Sequence, residues 1–298
     1  MRNRDTFSSY HPTINFLFFG IVIVCTMFVT HPVMLAVSFI SALVYNIYLD
    51  GSRGLTFDLK FLLPMMLSAM IINPAFSHAG ITILCYLPTG NPLTLESIIY
   101  GISAAVMLGT VILWFRCYTV VMTSDKFVYL FGKIIPALSL MISMTLRFVP
   151  KFKTQFTVVC DAQRCIGNDI SSGSIFSRLR NAVNIFSIMI TWSLENAIET
   201  ADSMKSRGYG LKGRTAFSIY RFDGRDRYIL CCMILCGVYL LCGIFANGLK
   251  WRYFPSIRGV LYQPFTITFY VVYAIFCNIP IILNRKEDKI WKSLKSEI

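Results

Sequence analysis

Charge is scarce in this chain. Only 14% of its 298 residues are Asp, Glu, Lys or Arg, against roughly 25% in soluble domains. A soluble fold would struggle to hide a 55% hydrophobic content at a mean hydropathy of +0.61, so an integral membrane protein is expected. Signatures of chemistry are missing too. No G-x-x-x-x-G-K-[ST] phosphate loop, no H-E-x-x-H and no G-x-S-x-G occurs, so those nucleotide, metalloprotease and hydrolase readings have no support. The three histidines, His11, His31 and His78, stand far apart. The ten cysteines lie mostly in apolar runs and form no C-x-x-C pair. They read as small buried hydrophobes, and neither a metal site nor a disulfide framework is predicted.

What is present is a series of apolar runs. Spans are expected at about Ile14–Val29, Val33–Leu49, Phe61–Phe76, Glu96–Phe115, Tyr228–Asn247 and Pro264–Leu283. Several are shorter than the ~20 residues a crossing helix needs, and flanking aromatics such as Tyr45, Tyr48 and Phe57 can extend them at the interfaces. No small-x-small cleavage site follows the first run, which is read as a retained helix. Ile81–Leu87 is too short to cross and is expected to be re-entrant or interfacial. Phe127–Val149 holds an apolar core, Ile134–Leu146, of only 13 residues, interrupted by Pro136 and bounded by Lys133 and Arg147, and reads as an amphipathic or interfacial helix. Arg116 is expected to stop the fourth span. The polar block, 151–227, has helical composition over Lys151–Ile166 and Ser177–Lys205, joined by a Ser/Gly-rich loop at 169–174. The expected fold is all-α: a polytopic membrane protein of about six transmembrane helices with two long cytoplasmic helices. The divisions are 1–126, 127–227 and 228–298.

The net charge of +13 bears on orientation. With six spans, 25 Lys and Arg fall on the side of the N-terminus and 3 (Lys250, Arg252, Arg258) on the other. The positive-inside rule then places both termini and the polar block in the cytoplasm of a multi-pass cell-membrane protein. Nucleic acid is a poor second reading, because the basic residues flank apolar spans. The spans are nearly free of interior charge, which argues against a self-contained ion-coupled transporter. Glu96 suits a helix N-terminus, and His78 reads as a hydrogen-bonded loop residue.

Two helix ends remain, each with an Arg near a Gly. In Asp161-Ala162-Gln163-Arg164-Cys165-Ile166-Gly167, Asp161 and Arg164 are spaced to pair on one turn. In Ser206-Arg207-Gly208-Tyr209-Gly210, Gly208 follows Arg207. Gly167 and Gly208 can supply the left-handed residue that ends a helix. A cation in the last turn also complements the helix dipole, so two ordinary caps would look the same. The functional reading is an Arg carried on a rigid helix tip toward an acidic groove of a soluble partner. A guanidinium offers a carboxylate a planar fork of donors, and the small neighbours Ala162 and Ser206 permit close approach.

These stretches, with Leu146-Arg147-Phe148-Val149-Pro150, Asn73-Pro74-Ala75-Phe76-Ser77-His78-Ala79-Gly80-Ile81-Thr82 and Leu95-Glu96-Ser97-Ile98-Ile99-Tyr100-Gly101, give the chain its resemblance. Over roughly residues 14–283 it resembles the transmembrane T component of energy-coupling factor (ECF) transporters. The resemblance implies a non-catalytic coupling subunit, with no cofactor, in an ATP-driven importer of vitamins or metal ions. It would join two cytoplasmic ATP-binding subunits to a small substrate-binding membrane subunit. Two coupling helices would each end in an Ala-Arg-Gly motif seated in a groove of one ATPase. The coupling residues implied are Ala162, Arg164, Cys165, Ile166, Gly167, Ser206, Arg207 and Gly208. The first motif departs from the family, because Cys165-Ile166-Gly167 has Ile where Arg is expected. Arg164, two residues before, could take over the contact, although it would point about 200° around the helix from that position. The second motif keeps Arg207 and has Ser206 for Ala, so Arg207 is expected to be the main contact. An apolar groove on one of two non-identical ATPases would suit Ile166. Two rivals stand beside this reading. A conventional ABC permease predicts polar residues facing a cavity in the spans, and an intramembrane enzyme predicts paired carboxylates or a His cluster at membrane depth.

Overall fold

The structure is a computed structural model that describes residues 5–51, 54, 56, 58–86, 92–132, 135–209, 211, 220–246, 249, 251–259 and 263–296. The chain forms two compact units, Met1–Phe127 with Tyr220–Ile298, and Val128–Ile219. The first unit holds α1 (Pro12–Phe28), α2 (Pro32–Asp50), α3 (Leu63–Phe76), α4 (Leu95–Val121), α8 (Gly224–Phe245) and α9 (Pro264–Ser296). A short helix, α5 (Ser124–Gly132), leads into the second unit, which holds α6 (Pro136–Cys165) and α7 (Ile175–Ser206).

Local chemistry sets these boundaries. Pro12 and Pro32 open α1 and α2, where a missing N–H costs nothing. Gly51, at φ 59°, closes α2. Thr94 caps α4 by accepting from the Ser97 N–H at 3.3 Å. Among the described residues four helices, α2, α4, α8 and α9, are long and apolar enough to cross a membrane, and Pro12–Phe28 and Lys60–Phe76 are shorter apolar helices. The six apolar helices fall at the six expected places, in an all-α membrane protein.

α4 is the central element of the first unit, packed by α1, α2 and α3. Its approach to α3 depends on small residues one turn apart. A Cβ at Gly109 would lie 2.6 Å from Met66 Sδ, one at Gly101 3.1 Å from the Met70 carbonyl, and Ala105 between them is buried. The core is aromatic. Phe18 meets Trp114 at 5.8 Å and Phe276 at 5.4 Å between ring centroids. A buried polar network runs through it: the Trp114 indole N–H donates to Ser38 Oγ at 3.0 Å, and Thr26 Oγ1 lies 3.0 Å from Ser38 Oγ and 3.2 Å from the Tyr273 hydroxyl. It ties α1, α2, α4 and α9 at fixed register.

The structure corrects several expectations. Arg116 does not stop the fourth span, and the helix continues to Val121. Just beyond the ends of the expected spans, Arg116 lies 2.9 Å from Asp50 and 3.4 Å from Asp58, and Asn46 Nδ2 donates to both Asp58 oxygens. Paired in this way, a guanidinium is tolerated near a helix end. Within Ile81–Leu87, residues Ile83–Tyr86 form a β-strand paired antiparallel with Pro92–Thr94, and Leu87 lies outside the described residues. Phe127–Val149 is not one interfacial helix. Its second part joins Lys151–Ile166 as the single 30-residue α6, which runs through Pro150. The basic tail is helical as well, being the end of α9. The His78 Nδ1 atom is buried without a hydrogen-bond partner among the described residues.

The segment before α1 is held by several elements of the first unit. Asp5 accepts from Asn284 Nδ2 at 2.7 Å and from the Tyr45 hydroxyl at 3.2 Å, and the Phe7 N–H donates to Asn284 Oδ1 at 3.0 Å. Buried Lys126, on α5, donates to the Ser8 and Val121 carbonyls. Burial pushes the Asp5 carboxyl up and the Lys126 amine down from their ordinary values.

Candidate functional site: two capped helix ends

The second unit is built on one helix pair. Phe152 meets Trp192 edge-on at 5.3 Å, Val159 packs with Ile185 and Met189, and Asn181 Nδ2 donates to the Asp169 carbonyl at 3.0 Å. Partners on α7 fall in number as those on α6 rise, so the helices run antiparallel. The end of α6 lies beside the start of α7. The end of α7, from Asn181 to Arg207, continues roughly 40 Å the other way at 1.5 Å per residue.

Both helices end in the same motif. After α6, the Gly167 N–H donates to the Arg164 carbonyl at 3.0 Å and the Asn168 N–H to the Gln163 carbonyl at 2.9 Å. After α7, the Gly208 N–H donates to Lys205 and the Tyr209 N–H to Met204, both at 3.0 Å. Each is a Schellman cap, which satisfies the last carbonyls and needs a left-handed residue after the C-cap. Gly167 and Gly208 supply it at φ 90° and 75°. The caps fix the register between the two ends. Ile166 and Arg207 are the C-cap residues, Cys165 matches Ser206, and Arg164 matches Lys205.

The side chains differ more than the backbones. Arg164 does not pair with Asp161. Its Nε lies 3.6 Å from Asp169 Oδ2, where the Ser171 hydroxyl and N–H, with a smaller help from Arg164, hold the Asp169 carboxyl below its ordinary value. The loop geometry turns the guanidinium to the residue after the cap rather than the one before it. Ala162, Cys165, Ile166, Ser206 and Arg207 are exposed, and Gly208 is half-buried.

Composition hid a further feature. The block expected to be polar carries an exposed apolar stripe on α7: Phe176, Leu179, Val183, Phe186, Ile190 and Leu194. Between α6 and α7 lies an apolar groove of about 470 Å³ lined by Phe152, Phe156, Ile185, Phe186, Met189 and Ile190. The spacing of three and four residues along α7 was the available signal.

Fold and site define a multi-pass, all-α membrane protein that carries a two-helix unit with matched glycine-capped ends. No family model matches the chain. Among curated proteins it is similar to energy-coupling factor transporter transmembrane protein EcfT 1 of Listeria monocytogenes serotype 1/2a (strain 08-5578), with 38% identity over 99 residues, 33% of this chain and 37% of that one. It is also similar to EcfT of Lactococcus lactis subsp. cremoris (strain MG1363), 30% over 105 residues, 35% of this chain and 40% of that one. EcfT of Lacticaseibacillus paracasei (strain ATCC 334) is 37% identical over 90 residues, 30% of this chain and 34% of that one. The match therefore spans at most 40% of the length of these relatives. These relatives support the resemblance that the motifs carry.

Proposed function

We propose that this protein is the non-catalytic transmembrane coupling subunit of an ATP-driven ECF-type importer in the cell membrane. Both termini and the α6–α7 unit lie in the cytoplasm. The ends of α6 and α7 each seat in a groove on one of two ATP-binding subunits, which bind and hydrolyse ATP. The helices pass the resulting motion to a small membrane subunit that captures a vitamin or metal ion. The observation that carries this reading is the pair of matched caps at opposite ends of an antiparallel helix pair. Such helices are stiff enough to transmit displacement, and their ends are far enough apart to reach two subunits. The exposed stripe of α7 fits a lipid or protein neighbour, since apolar area of this kind is rarely left in water.

Arg207 is the leading contact, because its guanidinium stands at the C-cap, where a carboxylate on a partner can take two hydrogen bonds. Replacing Arg207 with Ala is expected to leave the protein in the membrane at normal abundance and to reduce substrate uptake severely in cells that make all subunits. Normal uptake by Arg207→Ala would sink this reading.

A further inference from the structure

The two capped ends share a backbone and differ in charge. Aligned on their caps, residues 161–169 read Asp-Ala-Gln-Arg-Cys-Ile-Gly-Asn-Asp and residues 202–210 read Asp-Ser-Met-Lys-Ser-Arg-Gly-Tyr-Gly. Ile166 sits at φ −88°, ψ −1° and Arg207 at φ −80°, ψ 8°. A C-cap side chain therefore leaves each helix in nearly the same direction. Arg164 cannot take the missing place. It matches Lys205 in the cap, stands about 200° around the helix from position 166, and is turned toward Asp169.

The end of α6 thus presents Ile166, 73% exposed, where the end of α7 presents Arg207. Ile175 and Phe176, which open α7 beside the α6 tip, are 82% and 86% exposed. Charge divides the two ends further. At the first, Asp161 and Asp169 are offset by Arg164 and by Arg178, whose Nε donates to the Ile170 carbonyl beside them, which leaves no net charge, while Asp202 against Lys205 and Arg207 leaves the second at +1. An acidic groove that attracts the second would not attract the first. The separation of the ends, roughly 40 Å along α7, rules out one groove holding both.

We propose that the α6 tip is received by an uncharged, apolar pocket into which Ile166 inserts, on a different ATP-binding subunit from the one whose acidic groove holds Arg207. This rests on the docking reading above and adds what each receiving surface must be made of. The two subunits differ chemically at their docking sites, and each accepts only one helix end. An Arg at position 166 would enter the apolar pocket without a carboxylate to meet it, which leaves a desolvated charge unpaired.

The test uses the whole complex, produced with the ATP-binding subunits encoded with this chain in its own genome. The photo-crosslinker p-benzoylphenylalanine is placed at position 165 or 209, beside Ile166 and Arg207, which both stay in place, and the captured peptides are sequenced. Position 209 is expected to capture a peptide of one ATP-binding subunit that carries Asp or Glu. Position 165 should capture an apolar peptide of the other. Ile166→Arg should lower recovery of ATP-binding subunits at least about tenfold, or ~1.4 kcal/mol, while Ile166→Leu keeps it, with each variant equally abundant in the membrane. Full recovery with Ile166→Arg, an acidic peptide at position 165, or capture of one subunit from both positions would overturn the proposal. Capture of no ATP-binding subunit from position 209 would instead overturn the docking reading, and the proposal with it.

Discussion

Replacing Arg116 with Met should destabilise the first unit by about 2–3 kcal/mol at neutral pH, below the ~3–5 kcal/mol that follows when one partner of a fully buried ion pair is removed. Arg116 serves two carboxylates, Asp50 at 2.9 Å and Asp58 at 3.4 Å. At an effective dielectric near 20, a pair 3.4 Å apart attracts by about 5 kcal/mol, most of it offset by the loss of hydration. The Asp58 side chain is only 8% exposed and that of Arg116 17%, but Asp50 is 25% exposed and water can screen it. Asp58 also keeps its two hydrogen bonds from Asn46 in the variant. Met fills the space of the Arg stem, so the measured loss reports charge more than packing.

The pH dependence makes the reasoning specific. Burial already pushes the Asp58 carboxyl above its ordinary value, against the opposing pull of Asn46 and Arg116. A raised folded-state pKa means that the folded protein holds its proton more tightly than the unfolded chain. The associated stability is present at low pH and is lost as pH rises through that raised value. Without Arg116 the value rises further and the loss grows. The gap between wild type and Arg116→Met should therefore be widest at pH 7 and close as pH falls toward the ordinary carboxylate value of about 4. Thermal melting of detergent-purified protein at several pH values measures this. Adding Asp58→Asn to Arg116→Met should restore at least half of the lost stability. A gap that stays constant with pH, or a double variant no better than the single one, would refute the assignment.

Four further substitutions test the caps and the packing. Gly208→Ala places a Cβ 3.0 Å from Leu211 Cδ1 at φ +75°, whereas Gly167→Ala has nothing within 4 Å at φ +90°. Each incurs the ~1–2 kcal/mol of a left-handed non-glycine residue, and the extra contact should make Gly208→Ala the worse. Faster amide exchange at Tyr209 than at Asn168 would bear this out, and equal protection would refute it. Gly243→Ala puts a Cβ 2.5 Å from the Phe269 ring, so α8 and α9 should separate at a cost of about 1–3 kcal/mol. The melting temperature should fall and recover partly with Phe269→Leu, and an unchanged melting temperature would refute the contact. Trp114→Phe removes the indole N–H held by Ser38 at 3.0 Å, a loss of about 1 kcal/mol. Combined with Ser38→Ala, the two losses should sum to less than their separate values, and full additivity would count against the bond.

The parts of this molecule that were legible in the sequence are those governed by local rules. Apolar runs bounded by Pro12, Pro32 and Gly51 mark helix limits, because ring geometry and a missing Cβ act on the nearest residues alone. Gly167 and Gly208 foretold their caps for the same reason. What could not be read depends on residues distant in the chain. Arg116 looks like the end of a span until Asp50 and Asp58 are beside it. Arg164 looks like the partner of Asp161 until the loop brings Asp169 around. Some signals were local yet lost by averaging. Gly101, Ala105 and Gly109 repeat every four residues along α4 and set how closely α3 approaches. The run from Phe176 to Leu194 is interrupted by Arg178, Arg180 and Asn181, so it shows no unbroken apolar span although one side of the helix is apolar. Direction around the helix, not mean hydropathy, distinguishes a solvated strut from one with a surface to bury. That distinction matters to the coupling reading. A strut covered on one side by a neighbour moves with that neighbour, and its capped end can carry the motion only if the stripe stays in contact while the cap is displaced.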